Sequence, residues 1–299
     1  MQLTSNPRNL LILHFTVLIW GFTGVLGGLI SVSALHLVWY RVLIAAVTLI
    51  LYLRLSGNQV LIPWKDMVKF MGVGLIVGLH WILFFHSIKI STVSVTLVTL
   101  SSITLFTAIL EPLINRKSLS IGDIIVGLII IIGIYLIFTF EFQYFWGIMT
   151  GLGAAACASI FSILNARMVK KNSPTIISLY EMIGAFIGVN VELLIAGEFT
   201  EAMILSAQDW IYLLILGSIC TAFAYVLGVG VMKELSAFTV ALVTNLEPIY
   251  GIILAMIFIG QTEQMSLGFY AGAVIILGAV FLYPCIKTKL QKRSTQFKI

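Results

Sequence analysis

Apolar residues run along this chain in stretches of about twenty, separated by short polar connectors, and the stretches are apolar on every face. Neither the two-residue alternation of a half-buried strand nor a single wet helical stripe is sustained in them. A helix rises about 1.5 Å per residue, so roughly 20 residues cross a hydrocarbon layer of about 30 Å. The pattern predicts ten spanning helices, near 10–30, 35–53, 68–88, 92–114, 122–140, 146–166, 175–197, 209–232, 236–259 and 267–286. Turn residues and charge collect in the connectors Ser56-Gly57-Asn58, Asn115-Arg116-Lys117, Lys170-Lys171-Asn172-Ser173-Pro174 and Gln261-Thr262-Glu263, and none has room for an extramembrane domain.

Composition agrees with that reading. Of 299 residues, 60% are apolar and 10% charged, where a soluble domain carries about a quarter charged. Outer-membrane barrel strands alternate polar and apolar positions, which these runs do not. The fold class is therefore an all-α integral membrane protein. Cys157, Cys220 and Cys285 stand singly in apolar runs without C-x-x-C spacing, so neither a disulfide framework nor a zinc site is indicated. The first run ends without a small-residue cleavage motif and is read as a retained span.

Charge orients the spans. With the N-terminus in the cytoplasm, every one of the 17 Lys and Arg residues lies on the inner side except Lys89, in an outer loop, and Arg41, inside a span. This bias places both termini in the cytoplasm of an inner (plasma) membrane. The outer loops collect Glu141, Glu198, Glu201, Asp209 and Glu263. The basic tail, with Lys287, Lys289, Lys292, Arg293 and Lys298, directly follows a span and reads as an anchor to membrane lipids rather than a nucleic-acid patch.

The chain also repeats itself. A slide of 145 positions lays Leu97-Val98-Thr99 on Leu242-Val243-Thr244, Ser91 on Ser236, Gly127 on Gly272 and Gly133 on Gly278; a slide of 140 lays Tyr40-Arg41 on Tyr180-Glu181. This divides the chain into a first five-helix repeat, 8–141, a second, 144–286, and the basic cytoplasmic tail, 287–299. Five is odd, so the second copy enters the membrane upside down: ten transmembrane helices form two inverted five-helix repeats. Exchanging the conformations of such halves turns an outward-open state into an inward-open one.

Two five-helix repeats in about 300 residues, with Trp20-Gly21 in the first span and Leu246-Glu247-Pro248 in the ninth, resemble the EamA-type drug/metabolite transporter superfamily. The resemblance implies a ten-helix carrier of metabolites or amino acids, commonly an exporter. One departure stands out, because the fourth span has Ser102-Ile103 where Glu247-Pro248 stands in the ninth. The symmetry of the halves is therefore expected to fail there, with any kink in the fourth span left to Pro112.

A charge at bilayer depth costs roughly 2.5 to 3.5 kcal/mol on insertion scales, so each needs a partner or a purpose. Glu247 lies about 16 Å into its span, at the midplane, and is the candidate for binding a cationic group or a proton. Packing against Asn245 or a nearby hydroxyl is its structural alternative. Arg41 and Glu192 lie about 9 and 7.5 Å below the outer face, at depths that allow them to pair; Glu181 is about 12 Å away in depth from Arg41, too far to bond it through straight helices. Arg41, Glu181 and Glu192 form the candidate intramembrane charge network, with snorkelling to the nearer interface as the alternative. Glu111, one turn from the inner connector, reads as an interface acid.

His80 maps onto Tyr225 under the 145 slide, so two polar-tipped rings can face each other across a cavity. With Trp20, Trp81 and Phe84, and with Trp39 and Tyr250 as further walls, they suit a solute with a flat or apolar part. Thr99, Asn245 and neighbouring hydroxyls either line the same cavity or glue helices together. The candidate binding set is thus Trp20, His80, Trp81, Phe84, Thr99, Tyr225, Asn245 and Glu247. Gly74-x-x-x-Gly78, Gly147-x-x-x-Gly151 and Gly268-x-x-x-Gly272 present small-residue faces for the scaffold or for a dimer seam, so monomer and homodimer both stay open.

No cofactor or metal is expected: the four histidines lack ligand spacing, and neither H-E-x-x-H nor G-x-S-x-G occurs, which also speaks against an intramembrane enzyme. The reading is an exporter of small organic metabolites such as amino acids, working by alternating access, with protons as a candidate coupling ion. A lipid or lipid-linked sugar flippase of the same fold is the alternative.

Overall fold

The computed structural model describes residues 7–116 and 121–296, and among them no strand occurs. The chain runs through α1 (Pro7–Leu29), α2 (Ala34–Leu55), α3 (Trp64–Ile90), α4 (Val93–Leu100), α5 (Ile103–Ile114), α6 (Ile121–Phe140), α7 (Phe145–Met168), α8 (Pro174–Ala196), α9 (Ala207–Ile215), α10 (Ala224–Val231), α11 (Ala237–Thr244), α12 (Glu247–Phe258) and α13 (Leu267–Gln296). Paired as α4–α5, α9–α10 and α11–α12, they make ten crossings. Among the described residues, eight helical stretches are long and apolar enough to span a membrane, and Ile125–Phe140 and Leu267–Ala279 are shorter apolar helices.

The ends follow from short polar side chains. Ser33, Thr92, Ser206 and Ser236 each accept a hydrogen bond from a backbone N–H three residues on, and Pro174 starts α8, where its missing donor costs nothing. Gly197 ends α8 with φ +68°, a left-handed conformation that glycine adopts without steric cost.

The fourth and ninth crossings are both interrupted, at Ser101-Ser102 and at Asn245-Leu246, positions that the 145 slide nearly superposes. The expectation of a symmetry lost at the fourth crossing, with Pro112 supplying any kink, is corrected: Pro112 lies inside α5, two residues from its end, and does not interrupt it. The break falls at the two serines instead. Ser101 and Ser102 donate their N–H groups to Val98 and Thr99, three residues back, at 3.1 Å each, and Asn245 and Leu246 do the same to Leu242 and Val243. Such tightened turns end an α-helix, and at the fourth crossing the Ser101 hydroxyl competes for the Leu97 carbonyl at 3.4 Å. Asn245 Nδ2 takes the Ala241 carbonyl at 2.6 Å and also donates to Thr104 at 2.6 Å, which ties the two interruptions together across the repeats.

Between α9 and α10 the helix widens to a π-helical stretch, Leu216–Phe223, within one crossing. All three small-residue faces are used inside the chain. A Cβ at Gly74 would lie 2.2 Å from the Glu181 carbonyl and one at Gly78 3.2 Å from Ala185 Cα, so α3 and α8 pack backbone to backbone. Gly147 and Gly151 pack on Ser91 and Thr99, and Gly268 and Gly272 on Phe140 and Ile137. The α6–α13 pair thereby builds its own apolar cluster around Ile130, Ile137, Phe269 and Ile276, beside the main core. Helix α13 continues past the predicted end of the last span. The side chains of Lys287, Lys289, Lys292 and Arg293, and all of Lys117 and Lys298, lie outside the described residues.

Candidate functional site

A pocket with about 770 Å³ of empty space, its open mouth included, lies among α1, α2, α3, the α4–α5 interruption, α7, α10 and the α11–α12 pair. It belongs to both repeats. Asn165, Met232 and Val240 line it near those ends of their helices that share a side with the start of α1, whereas Arg41 and Phe84 stop about 10 Å short of the opposite side. The pocket thus extends from mid-membrane toward the N-terminal side.

Of the predicted residues, Trp20, His80, Trp81, Phe84, Tyr225 and Glu247 line it. Thr99 does not: its hydroxyl donates to Val95 O at 2.7 Å while its methyl packs on Gly151. Asn245 lines a separate small crevice beside Pro248. Trp39 donates its indole N–H to Asn190, and Tyr250 packs against Gly21. Neither lines the pocket.

Aromatic rings form a continuous wall. Trp81 and Tyr225 meet edge to face at 5.9 Å, Phe161 reaches both Tyr225 (6.2 Å) and His80 (5.4 Å), and His80 stacks on Phe84 at 6.1 Å. His80 Nδ1 donates to the Ala154 carbonyl at 2.8 Å, which fixes the ring and leaves Nε2 as its other polar atom. On the opposite repeat, Asn165 Nδ2 donates to the Tyr225 hydroxyl at 3.1 Å and toward the buried Glu181 at 3.4 Å. Glu181 has no accessible surface and stands behind the wall, tied to the pocket through these two side chains.

The charged residues are arranged differently from the predicted network. Arg41 does not pair with Glu192, which is exposed on α8. Instead its Nε donates to Thr221 Oγ1 at 2.6 Å and its guanidinium lies 4.0 Å over the Trp81 ring. Thr221 belongs to the π-helical stretch and hands its own proton to the Leu216 carbonyl five residues back, so the wide turn aims its oxygen at Arg41. Gly217, one residue from that carbonyl, lets the backbone come close to Arg41 O and Ile44. Glu247 is 5% exposed and occupies the first turn of α12, where the helix N-terminus favours a negative charge.

Several lining residues escape sequence reasoning: Thr23, Phe161, Ser162 and Asn165. The repeat held the signal for one of them, because the 145 slide lays Trp20 on Asn165. Among the described residues no group of three or more His, Cys, Asp or Glu could hold a metal ion.

Beyond the pocket, on the side opposite the N-terminus, the repeats are latched. Glu263 accepts from Val93 N (3.0 Å), Ser94 N (2.8 Å) and the Ser94 hydroxyl (2.8 Å), and Asp209 accepts from Ser31 N (2.8 Å) and its hydroxyl (2.6 Å). Lys89 donates to the Ile30 carbonyl. Both acids are buried, Glu263 at the start of α4 and Asp209 on the turn before α2, and neither is a solvated loop charge. Across the N-terminal side, Asn9 donates to Glu234 at 2.6 Å, Arg167 to Ile114 O at 2.6 Å, and Phe238 N to Glu111 at 3.2 Å.

The family model described as EamA-like transporter family matches residues 8–139 and again residues 145–283, once per repeat. Among curated proteins none matches the sequence. A solved crystal structure of a protein superposes with a TM-score of 0.67 over 92% of this chain and 97% of its own, at 15% identity, and at that identity the likeness concerns the fold alone.

Proposed function

This chain belongs to the EamA-like transporter family, a family of membrane transporters, and from that premise we propose that the inter-repeat pocket binds a small organic metabolite such as an amino acid and passes it outward by alternating access. One observation carries the reading. Glu247 and His80, from different repeats, line the same mid-membrane pocket, where an ionisable group is costly unless it has a use. Glu247 receives a cationic group or a proton, and the ring wall with His80 holds the body of the solute. Latches between repeats at both ends supply contacts that can break in turn as the repeats rock.

Flux of a panel of radiolabelled amino acids and metabolites into proteoliposomes tests this. Wild-type protein is expected to move at least one solute above empty vesicles, and Glu247→Gln and His80→Ala to lower that flux at least tenfold while still folding. Unchanged flux in both variants would remove the pocket as the binding site. Translocation of a labelled phospholipid in the same vesicles, with no solute flux, would favour a flippase.

A further inference from the structure

Arg41 is a buried cation with no anion beside it. It is 2% exposed, sits at a depth where a guanidinium is costly, and no carboxylate of the described residues lies within 4.0 Å of its nitrogens. Shape rather than charge holds it in place. Nε donates to Thr221, and the flat face rests between Trp81 at 4.0 Å and Phe85 at 5.3 Å. That arrangement uses one of five N–H donors. Nη1 is buried with no acceptor and, among the described residues, Nη2 donates to none, yet the residue lines the pocket. An arginine fixed at its stem and ring face but left unbonded at its outer nitrogens has the fork with which guanidinium groups bind carboxylates in pairs of parallel hydrogen bonds.

Glu247 lines the same pocket and forms no ion pair with Arg41. Opposite charges in one pocket attract each other, and the Thr221 hydrogen bond and the Trp81 ring hold the guanidinium where it is. A solute that carries both charges can answer each of them within the one pocket. A dianionic phosphate fits worse, since Arg41 offers a single cation and Glu247 repels the second negative charge.

We propose that Arg41 is a specificity-determining residue of the pocket, receiving a carboxylate of the solute on the outer end of its guanidinium while Glu247 receives the ammonium group, so that the pocket selects zwitterions over their decarboxylated amines. This rests on the pocket being the solute site.

Equilibrium binding to the purified full-length protein tests it with matched trios: L-phenylalanine, phenethylamine and 3-phenylpropionate, and L-leucine, isopentylamine and 4-methylpentanoate. Wild-type protein should bind the zwitterion of at least one trio roughly tenfold or more above its amine, the size expected of a charge-assisted hydrogen bond. Arg41→Gln should erase that preference by weakening the zwitterion and the acid while leaving the amine unchanged, a split that general unfolding would not produce. Should Arg41→Gln fail to fold, Arg41→Lys serves, since it keeps the charge without the fork and should retain a reduced preference. Amines bound as tightly as zwitterions by wild-type protein, or a preference intact in Arg41→Gln, would overturn the role of Arg41 and leave the pocket standing. No binding by any member of a broad set of trios, with none affected by Glu247→Gln, would remove the pocket reading and this role together.

Discussion

Glu263, in the turn between the ninth and tenth crossings, accepts from both the backbone N–H and the hydroxyl of Ser94, at the start of the fourth. The contact joins the two repeats on the side opposite the N-terminus and is buried. Val93 N donates to the same carboxylate, so all three of its donors come from the other repeat. A carboxylate at an exposed helix start is worth a fraction of a kcal/mol, but a buried one with three donors is worth more.

Glu263→Ala should therefore destabilise the protein by about 1.5–3 kcal/mol, through lost charge-assisted bonds and two stranded backbone donors. Thermal unfolding of the detergent-solubilised protein reads this. Glu263→Gln keeps an acceptor oxygen and should lose less. An unfolding midpoint for Glu263→Ala equal to wild type would show that the latch holds nothing.

The backbone contact between α3 and α8 gives a sharper test of packing. A methyl group at Gly74 would meet the Glu181 carbonyl and one at Gly184 the Met71 carbonyl, each at 2.2 Å, whereas nothing lies within 4 Å of one at Gly72. Gly74→Ala and Gly184→Ala should each cost about 3 kcal/mol or more, since the obstacle is backbone and cannot rotate away. Gly72→Ala should be neutral or slightly stabilising. The comparison is made by expression level and thermal unfolding, and similar behaviour of the three variants would contradict the close approach.

The interrupted crossings predict a further contrast. Asn245 donates to Thr104 and to Ala241, joining the two breaks, while the buried Ser102 hydroxyl has no partner. Asn245→Ala should destabilise by about 1–3 kcal/mol and Ser102→Ala hardly at all. Equal losses would mean that the tie between the breaks carries no weight.

How far these features were legible in the sequence depends on what kind of force sets each one. Spans are fixed by the need to bury about twenty apolar residues with every backbone bond made internally, so hydropathy alone places them. The interruption at Asn245-Leu246 could be anticipated from the proline that follows. The one at Ser101-Ser102 could not, because serines in a membrane helix serve equally as glue between helices, and the proline that drew notice, Pro112, sits where a helix tolerates it. The wide turn at 216–223 has no sequence signature at all. Depth along the helices points Arg41 to a carboxylate, whereas its partners, a threonine hydroxyl and an indole face, are too common in the sequence to stand out. Asp209 and Glu263 read as loop charges since their partners, Ser31 and the start of α4, lie far off in the chain, which a single sequence does not show.

The central claim is that one pocket between the repeats meets each side of the membrane in turn. Ser162 lines that pocket and can report on it directly, as a lone cysteine (Ser162→Cys) in a protein whose Cys157, Cys220 and Cys285 are replaced by alanine. The measurement is its labelling by a membrane-impermeant maleimide added to one side at a time, in vesicles of uniform orientation, with and without a transported solute. The account predicts modification from both sides, faster from the N-terminal side, and slowed from either side by the solute. Labelling confined to one side under all conditions, or labelling that the solute does not slow, would contradict it.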